Sequence, residues 1–170
     1  SLGQISNFLR ITSNPTNYDT TLCGTSKCRQ IRVENISNVP ITINGVTPIL
    51  EPITQDPGDP VTLPITLQPA QVDSFTLCYS PTDAPRRDTI PLLVQVDTGG
   101  VAQATDTLVL IGRSVAPQMT FNPSPMNFGN VNIGTQLCLP VTISNTGDAP
   151  LVISALNGVD QPFTTQTPSV

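Results

Sequence analysis

Several residue types that carry enzyme chemistry are missing or scarce in this chain. It contains no histidine and no tryptophan, and its single lysine is Lys27. Without histidine there is no Ser-His-Asp triad, no imidazole metal site and no histidine general base. A serine nucleophile would need a lysine partner, and Lys27 stands alone between two cysteines. The sequence therefore predicts a protein that is not an enzyme and holds no cofactor.

Charge and long apolar runs are also scarce. Only 11% of the residues are charged, and twelve acidic against seven basic side chains give a net charge of −5. An acidic surface repels phosphate groups, so we expect no nucleic-acid partner. The longest apolar runs, such as residues 90–94 and 108–111, are too short to span a bilayer. We therefore expect no membrane insertion.

The residues that are abundant indicate strands and turns. The 170 residues include 18 prolines, 11 glycines and 23 threonines, a mixture that disfavours helices and suits short strands. No segment keeps a 3.6-residue apolar period, whereas apolar and polar residues alternate in several short stretches. The clearest of these stretches are residues 31–33, 41–43, 75–79, 90–96 and 101–111. The predicted fold class is all-β.

Cysteine pairing is left open by the sequence. The four cysteines, Cys23, Cys28, Cys78 and Cys138, allow three pairings. Cys23 and Cys28 are the favoured pair, because they lie close together across Gly24 and would close a short loop. Cys78 and Cys138 would then be unpaired or would pair between domains. The alternative is four unpaired thiols that act as small apolar residues. No C-x-x-C motif is present, which argues against zinc and thioredoxin-type chemistry.

The chain repeats itself at an offset of 110 positions. Residues 11–46 align without a gap on residues 121–156, and eight aligned positions are identical. In the first copy the identical positions are Pro15, Asn17, Gly24, Thr25, Cys28, Asn35, Pro40 and Ile43. Turn-forming residues and apolar alternation are kept together, so both copies are predicted to fold in the same way.

The length of the repeat sets the predicted domain boundaries. A unit of 110 residues suits one immunoglobulin-like β-sandwich. We predict tandem sandwiches, one over residues 1–115 and the first half of a second over residues 116–170. Half a sandwich cannot cover its own apolar face. The chain begins at Ser1 without a signal-peptide pattern, as expected for a mature secreted chain or for an excised fragment.

The pattern of the second copy is shared with a known family. The residues that carry it are Phe128-Gly129-Asn130-Val131, Ile133-Gly134-Thr135 and the strand and turn over residues 141–151. These segments resemble the ASH group of immunoglobulin-like domains, named for ASPM, SPD-2 and Hydin, and the related major sperm protein fold. The first copy departs from the pattern, since it has Tyr18-Asp19 in place of Phe-Gly.

The resemblance implies a scaffold or binding module without catalytic residues. Domains of this group look like tandem modules of bacterial surface or secreted proteins, or of ciliary and centrosomal proteins. The threonine-rich, lysine-poor and acidic composition favours the bacterial setting. An extracellular or cell-surface location is therefore predicted, and a cilium or the cytoskeleton is the alternative.

The first candidate function is that of a structural or assembly module of a secreted or cell-surface protein. A strand from a neighbouring copy would complete the unfinished sandwich and link copies into a filament. The candidate donor is the N-terminal arm, residues 1–13, through Ile5, Phe8, Leu9 and Ile11. The alternative is that the completing strands follow in the same parent chain.

The second candidate function is recognition or adhesion, with a glycan or a protein bound through the loops. Residues 46–60 and 80–88 are the predicted long loops, and the only basic doublet, Arg86-Arg87, is the candidate contact for carboxylates of a partner. The scarcity of aromatic residues speaks against this function. No metal is expected, because no calcium-ligand spacing connects the loop acids Asp56, Asp59, Asp83 and Asp88.

Overall fold

The computed structural model describes residues 8–99, 103–156 and 161–165. Every regular secondary-structure element in these ranges is a β-strand, so the all-β prediction is confirmed. Nothing in the described part of the chain is a helix with the length and apolar character to cross a membrane. The chain divides into two compact units, unit 1 from Ser1 to Ala116 and unit 2 from Pro117 to Val170.

Unit 1 is built from two sheets. Its strands are β1 (Leu9–Thr12), β2 (Thr16–Leu22), β3 (Lys27–Asn35), β4 (Ile41–Thr47), β5 (Ile53–Gln55), β6 (Ile65–Leu67), β7 (Val72–Tyr79), β8 (Arg86–Asp97) and β9 (Gln103–Val115). One sheet has the order β1-β3-β7-β5 and the other has the order β2-β9-β8-β4-β6. Neighbouring strands are antiparallel except β2 and β9, which run parallel.

Alternation along each strand supplies the core of unit 1. In β7, Phe75, Leu77 and Tyr79 are buried, which confirms that these alternate positions face inward. The other core residues of the central strands include Ile31, Val33, Ile41, Ile43, Leu92, Val94, Val96, Leu108 and Leu110. Removing this apolar surface from water, at about 25 cal/mol per Å², is the main stabilising contribution to the sandwich.

The chain crosses from one sheet to the other between β1 and β2. Ser13 turns the backbone with a φ of 64°. The side chain of Asn14 then bonds the edge of β9: its Nδ2 donates to Thr107 O at 2.7 Å, and its Oδ1 accepts from Val109 N at 2.9 Å. Unpaired edge groups invite pairing with other chains. Asn14 covers two such groups at a place where β2 does not reach.

The N-terminal segment forms part of the same sandwich. Strand β1 pairs with residues 32–35 of β3, Leu9 is buried, and Phe8 and Ile11 pack against the core. The prediction that these residues form a free donor arm is corrected, because their strand pairing is already used within unit 1. Ile5, the remaining residue of that prediction, lies outside the described residues.

Two of the predicted loops contain strands. Strand β5 lies inside the predicted loop at 46–60 and pairs with the end of β7. Strand β8 begins inside the predicted loop at 80–88, because its first residues pair with the last residues of β9. Pro64 comes directly before β6, which spans three residues. This short strand lies at a sheet edge, where a neighbouring proline is tolerated.

Asn35 anchors the turn between β3 and β4. Its side chain is fully buried. Its Nδ2 donates to Val39 O at 2.8 Å and to Leu67 O at 3.0 Å, and its Oδ1 accepts from the backbone N–H and the hydroxyl of Ser37 at 2.9 and 2.7 Å. The hydrogen-bonding capacity of the amide is thus used in full, and the predicted role of Asn35 as a turn former is confirmed.

We expect Asn35→Ala to lower the free energy of unfolding by about 2 kcal/mol, because buried polar groups lose their partners. Asn145→Ala is the matched control. Asn145 makes the same kind of turn bond, to Ala149 O at 2.8 Å, but is exposed. Its replacement is expected to leave the unfolding transition of unit 1 unchanged. Urea unfolding followed by circular dichroism measures both variants, and equal effects would contradict the argument from burial.

Unit 2 contains two strands within its described residues, β10 (Met119–Asn122) and β11 (Thr142–Asn145). They pair antiparallel, with Met119 opposite Asn145. The rings of Phe128 and Phe163 lie 5.7 Å apart. Most of the other apolar side chains of this unit are exposed, so its described part is a small sheet without a core comparable to that of unit 1.

Candidate functional site

A polar network joins β7, the start of β8 and the end of β9. Tyr79 donates its hydroxyl to Asp88 Oδ2 at 2.5 Å. Arg86 bonds Asp88 Oδ1 through Nε at 2.9 Å and Nη2 at 2.7 Å, and it reaches Asp83 Oδ1 through Nη1 at 2.7 Å. Ser114 Oγ donates to Asp83 O at 2.6 Å. The network connects the two sheets, because Tyr79 lies in a strand of one sheet, whereas Arg86 and Asp88 lie in a strand of the other.

The two arginines of the predicted contact doublet point to opposite faces of β8, as alternation along a strand requires. Arg86 is held by two aspartates of its own domain. The contact of Arg86 with a partner stays a prediction, although its guanidinium group already has these two ion pairs. Arg87 is exposed and lies opposite Arg113 in the β8–β9 pairing. Arg87 stays a predicted contact for a carboxylate of a partner.

Both tyrosines of the chain lie in the core of unit 1. Tyr18 donates to Leu77 O at 2.9 Å, and its ring lies 5.9 Å from that of Tyr79. Burial raises the pKa of Tyr18 to about 12. Burial, followed by the hydrogen bond to Asp88 and the charge of that carboxylate, also raises the pKa of Tyr79. Both hydroxyls are therefore neutral donors, and neither acts as a base near neutral pH.

We expect the folded chain to resist tyrosine ionisation and to lose stability in strong alkali. Both tyrosine pKa values are raised above the ordinary 10. Their stabilising contribution is thus complete below pH 10 and declines as the pH rises toward the folded-state pKa values. Each neutral tyrosine lowers the free energy of unfolding by up to about 1.4 kcal/mol per pH unit in that window. Tyrosinate absorbance should rise only together with loss of the circular dichroism signal, and a step near pH 10 in folded protein would contradict this.

Cys28 and Cys78 form a disulfide. They lie opposite each other in the β3–β7 pairing. The prediction of a bond between Cys23 and Cys28 is wrong, because β3 holds Cys28 beside β7, whereas the N–H of Cys23 bonds Val115 O at the end of β9. Strand register decides this pairing, and sequence spacing does not carry that information. Cys23 is a half-buried free thiol.

One group of metal-ligand side chains occurs among the described residues. It consists of Cys28, Cys78 and Asp56. The two sulfurs are bonded to each other, which removes the thiolates that a metal ion would need. The remaining loop acids have other contacts. Asp83 and Asp88 hold Arg86, and Asp59 accepts a hydrogen bond from the hydroxyl of Thr76 at 2.7 Å.

Unit 2 repeats the strand pairing with which unit 1 begins. Strands β10 and β11 pair Met119 with Asn145, and strands β1 and β3 pair Leu9 with Asn35. Each residue of the second pair lies 110 positions before its counterpart. The N–H that follows the asparagine also bonds an equivalent carbonyl: Ile36 N bonds Phe8 O at 2.9 Å, and Thr146 N bonds Gln118 O at 2.8 Å.

The turns of the two units repeat in the same way. Asp19 and Gly24 have φ values of 56° and 79°, and their counterparts Gly129 and Gly134 have values of 60° and 81°. The asparagine two positions before Asp19 and before Gly129 supports the turn in the same way, since Asn17 accepts from Asp19 N and Asn127 accepts from Gly129 N, both at 2.8 Å. The sequence repeat is therefore also a repeat of local geometry.

The two units differ in what covers their apolar residues. Ile31 and Ile43 are 0% exposed in unit 1, whereas their counterparts Val141 and Ile153 are 47% and 46% exposed. In unit 1, the strands β7, β8 and β9 cover these positions. The described part of unit 2 has no counterpart of those strands. Its exposed apolar residues include Val131, Ile133, Leu137, Leu139, Val141, Val152, Ile153, Leu156 and Phe163.

Missing partners also explain why β11 is shorter than β3. Strand β3 pairs with β7 over residues 27–34 and spans nine residues. In unit 2 only the four residues opposite β10 form a strand. Within the described part of the chain, no strand is assigned over the preceding residues 136–141. The sequence pattern is thus sufficient for the turns, but the long strand needs a neighbour on its second side.

Comparison with known proteins shows the fold and leaves the role open. No family model matches the chain, and no curated protein matches its sequence. The ASH/PapD-like domain of human CEP192 (PapD-like domain 7) matches with a TM-score of 0.51 and 13% identity, over 66% of this chain and 89% of that chain. The VesB protease of Vibrio cholerae matches with a TM-score of 0.53 and 14% identity, over 63% of this chain and 32% of that chain.

A third solved structure, a protein of unknown function from Porphyromonas gingivalis W83, matches with a TM-score of 0.54 and 13% identity. This match covers 66% of this chain and 55% of that chain. At such identities the likeness concerns the fold alone. The predicted resemblance is confirmed at that level, because the chain contains an immunoglobulin-like β-sandwich similar to the ASH and PapD-like domains.

Proposed function

We propose that this chain is a non-catalytic structural module, and that it assembles when an added β-strand completes unit 2. The observation that carries the proposal is that apolar side chains of unit 2 are exposed where their counterparts in unit 1 are buried. An example is Ile153, 46% exposed where unit 1 buries Ile43 completely. An unfinished sandwich presents an open strand edge and an apolar groove, and one inserted strand satisfies both.

Two kinds of interaction would hold the added strand. Backbone N–H and C=O groups along residues 136–141, where no strand is assigned among the described residues, would bond it along the edge. Its alternate side chains would enter the groove beside Val141 and Ile153. Fully burying such a side chain contributes roughly 1.5–3 kcal/mol, so a few of them are sufficient for stable binding.

An extracellular or cell-surface setting is supported by the Cys28–Cys78 disulfide. Disulfides persist in oxidising compartments and are rare in the cytosol. The same property disfavours the alternative of a ciliary or centrosomal scaffold. Linked head to tail, modules that donate and accept strands would form a filament.

A second candidate function is recognition of an acidic partner. It is favoured by Arg87, whose side chain is exposed on β8, because a guanidinium group can bind a carboxylate through two parallel hydrogen bonds. In that case Arg87→Ala would weaken partner binding, and high salt would do the same.

Strand binding is tested with a synthetic peptide of residues 69–81, which contains β7 and carries Cys78→Ser. Fluorescence anisotropy should show that it binds the full chain. Ile153→Asp should weaken this binding more than about tenfold, because it places a charge in the groove. Leu93→Asp is the matched control, since Leu93 is 44% exposed on unit 1. Absence of peptide binding, or equal loss in both variants, would overturn the proposal.

A further inference from the structure

The disulfide of unit 1 lies on the outer face of the sheet β1-β3-β7-β5. Cys28 on β3 and Cys78 on β7 are direct partners, and on its other side Cys78 lies opposite Thr54 of β5. The side chains before and after Cys78 on its strand, Leu77 and Tyr79, are buried in the core. Alternation along the strand therefore places the two cysteines on the face away from the core.

A carboxylate lies beside the two sulfurs. Asp56 comes directly after β5, and one of its carboxylate oxygens and the two sulfur atoms all lie within 4.8 Å of one another. Asp56 Oδ1 accepts a hydrogen bond from Gly58 N at 2.9 Å. In the same turn, Asp59 accepts from the hydroxyl of Thr76 on β7 at 2.7 Å. The turn that carries Asp56 is thus attached to the strand that carries Cys78.

These three groups match the ligands and the dimensions of a zinc site. Zinc binds thiolates at about 2.3 Å and carboxylate oxygens at about 2.0–2.2 Å, usually with four ligands in a tetrahedron. Two ligand atoms of one ion are then roughly 3.5–4 Å apart, a separation that side-chain rotation can supply here. The two sulfurs must move apart, which requires that the bond between them is reduced. Cys28 is exposed, so water has access as the fourth ligand.

We infer that unit 1 binds a zinc ion through Cys28, Cys78 and Asp56 when its disulfide is reduced. The two cysteines then join β3 to β7 in either redox state, by a sulfur–sulfur bond in an oxidising compartment and through zinc where thiols are kept reduced. Two thiolates favour zinc over magnesium and calcium, which prefer oxygen ligands. The inference is independent of strand binding to unit 2.

A dithiol supplies the two electrons that open the disulfide. One thiolate of the dithiol attacks the exposed sulfur of Cys28, which forms a mixed disulfide and releases the Cys78 thiolate. The second thiolate of the dithiol then attacks the dithiol's own sulfur in that mixed disulfide and releases the Cys28 thiolate. The dithiol ends as a cyclic disulfide, the zinc ion takes up both cysteine thiolates, and the two protons of the dithiol pass to the solvent.

The test uses the full chain with Cys23→Ser and Cys138→Ser, so that only the disulfide pair can supply thiolates. Dithiothreitol reduces the chain and is removed by gel filtration under nitrogen. Competition with a chromophoric chelator measures the zinc affinity of the reduced and the oxidised chain, and cobalt(II) in place of zinc reports thiolate ligation by its charge-transfer absorbance. Asp56→Asn tests the carboxylate. Asp59→Asn is the matched control, because Asp59 lies in the same turn but outside the ligand group.

The reduced chain should bind zinc at least about a hundredfold more tightly than the oxidised chain, because oxidation removes both thiolate ligands. Asp56→Asn should weaken binding to the reduced chain at least about tenfold, and Asp59→Asn should leave it nearly unchanged. Equal affinity in the two redox states, equal effects of the two substitutions, or cobalt binding without the charge-transfer band would overturn the inference.

Thermal unfolding followed by circular dichroism shows whether the folded chain holds the ion. Zinc should raise the unfolding midpoint of the reduced chain, or restore its native spectrum if reduction has removed it, because the free energy of metal binding adds to that of folding. The midpoint of the oxidised chain should not change. If the reduced chain binds zinc without either effect, the ion is held by an unfolded thiol pair and the inference is overturned.

Discussion

Removing the Cys28–Cys78 disulfide is expected to lower the free energy of unfolding of unit 1 by about 4 kcal/mol. The bond joins residues 50 positions apart, and closing a loop of that length restricts the unfolded chain by roughly this amount. The double variant Cys28→Ala, Cys78→Ala removes both sulfurs without leaving a reactive thiol. Urea unfolding of the variant and of the parent chain measures the difference.

Two controls identify the source of this loss. Cys23→Ser should leave stability nearly unchanged, because Cys23 is not bonded to another sulfur. The parent chain in reductant should approach the stability of the double variant, whereas the double variant should be insensitive to reductant. A double variant as stable as the parent would show that the two strands are held by packing and backbone bonds alone.

Gly112→Ala is expected to lower the free energy of unfolding by about 3 kcal/mol, although it adds a single methyl group. A Cβ at this position would lie 2.7 Å from Cζ of Tyr79 and 2.8 Å from both Cε atoms. The ring cannot retreat easily, because Tyr18 packs beside it and Asp88 holds its hydroxyl. Overpacking a rigid core costs about 1–3 kcal/mol, and displacing the tyrosine from its buried partner costs more.

Gly45→Ala is the matched control for this prediction. Its Cβ would also meet an atom at 2.8 Å, but that atom is Oε1 at the flexible end of the Gln95 side chain. We expect a change within about 0.5 kcal/mol. In a Tyr79→Leu background, Gly112→Ala should cost much less than in the parent chain, because the ring is gone. Additive effects of the two substitutions would contradict the proposed clash.

The features that could be predicted from the sequence are those determined by neighbouring residues along the chain. The alternation of β7 identified its inward positions, and Asn35 was identified as a turn former because its side chain bonds groups within the same turn. The repeat at 110 positions was visible because Gly, Asn and Pro keep their places in turns of the same geometry.

The features that could not be predicted depend on which strands become neighbours. The disulfide partner of Cys28 is decided by β7, which lies 50 positions away. The same applies to Arg86, whose aspartates are brought together only when β8 starts early and pairs with β9. The sequence does not mark Gly112 as essential either, since the need for a glycine at this position comes from the ring of Tyr79 on the opposite sheet. Each of these features can be predicted only when the order of the strands in the sheets is known.

The parallel pairing of β2 with β9 has a mechanical consequence. These strands lie near the two ends of unit 1 and are paired from Thr16 opposite Leu110 to Leu22 opposite Val115. Tension applied to the two ends of the unit pulls β2 and β9 in opposite directions along their common axis. Their hydrogen bonds are then loaded together in shear and do not open one after another, so unit 1 should withstand tension well if it serves as a link in a tether.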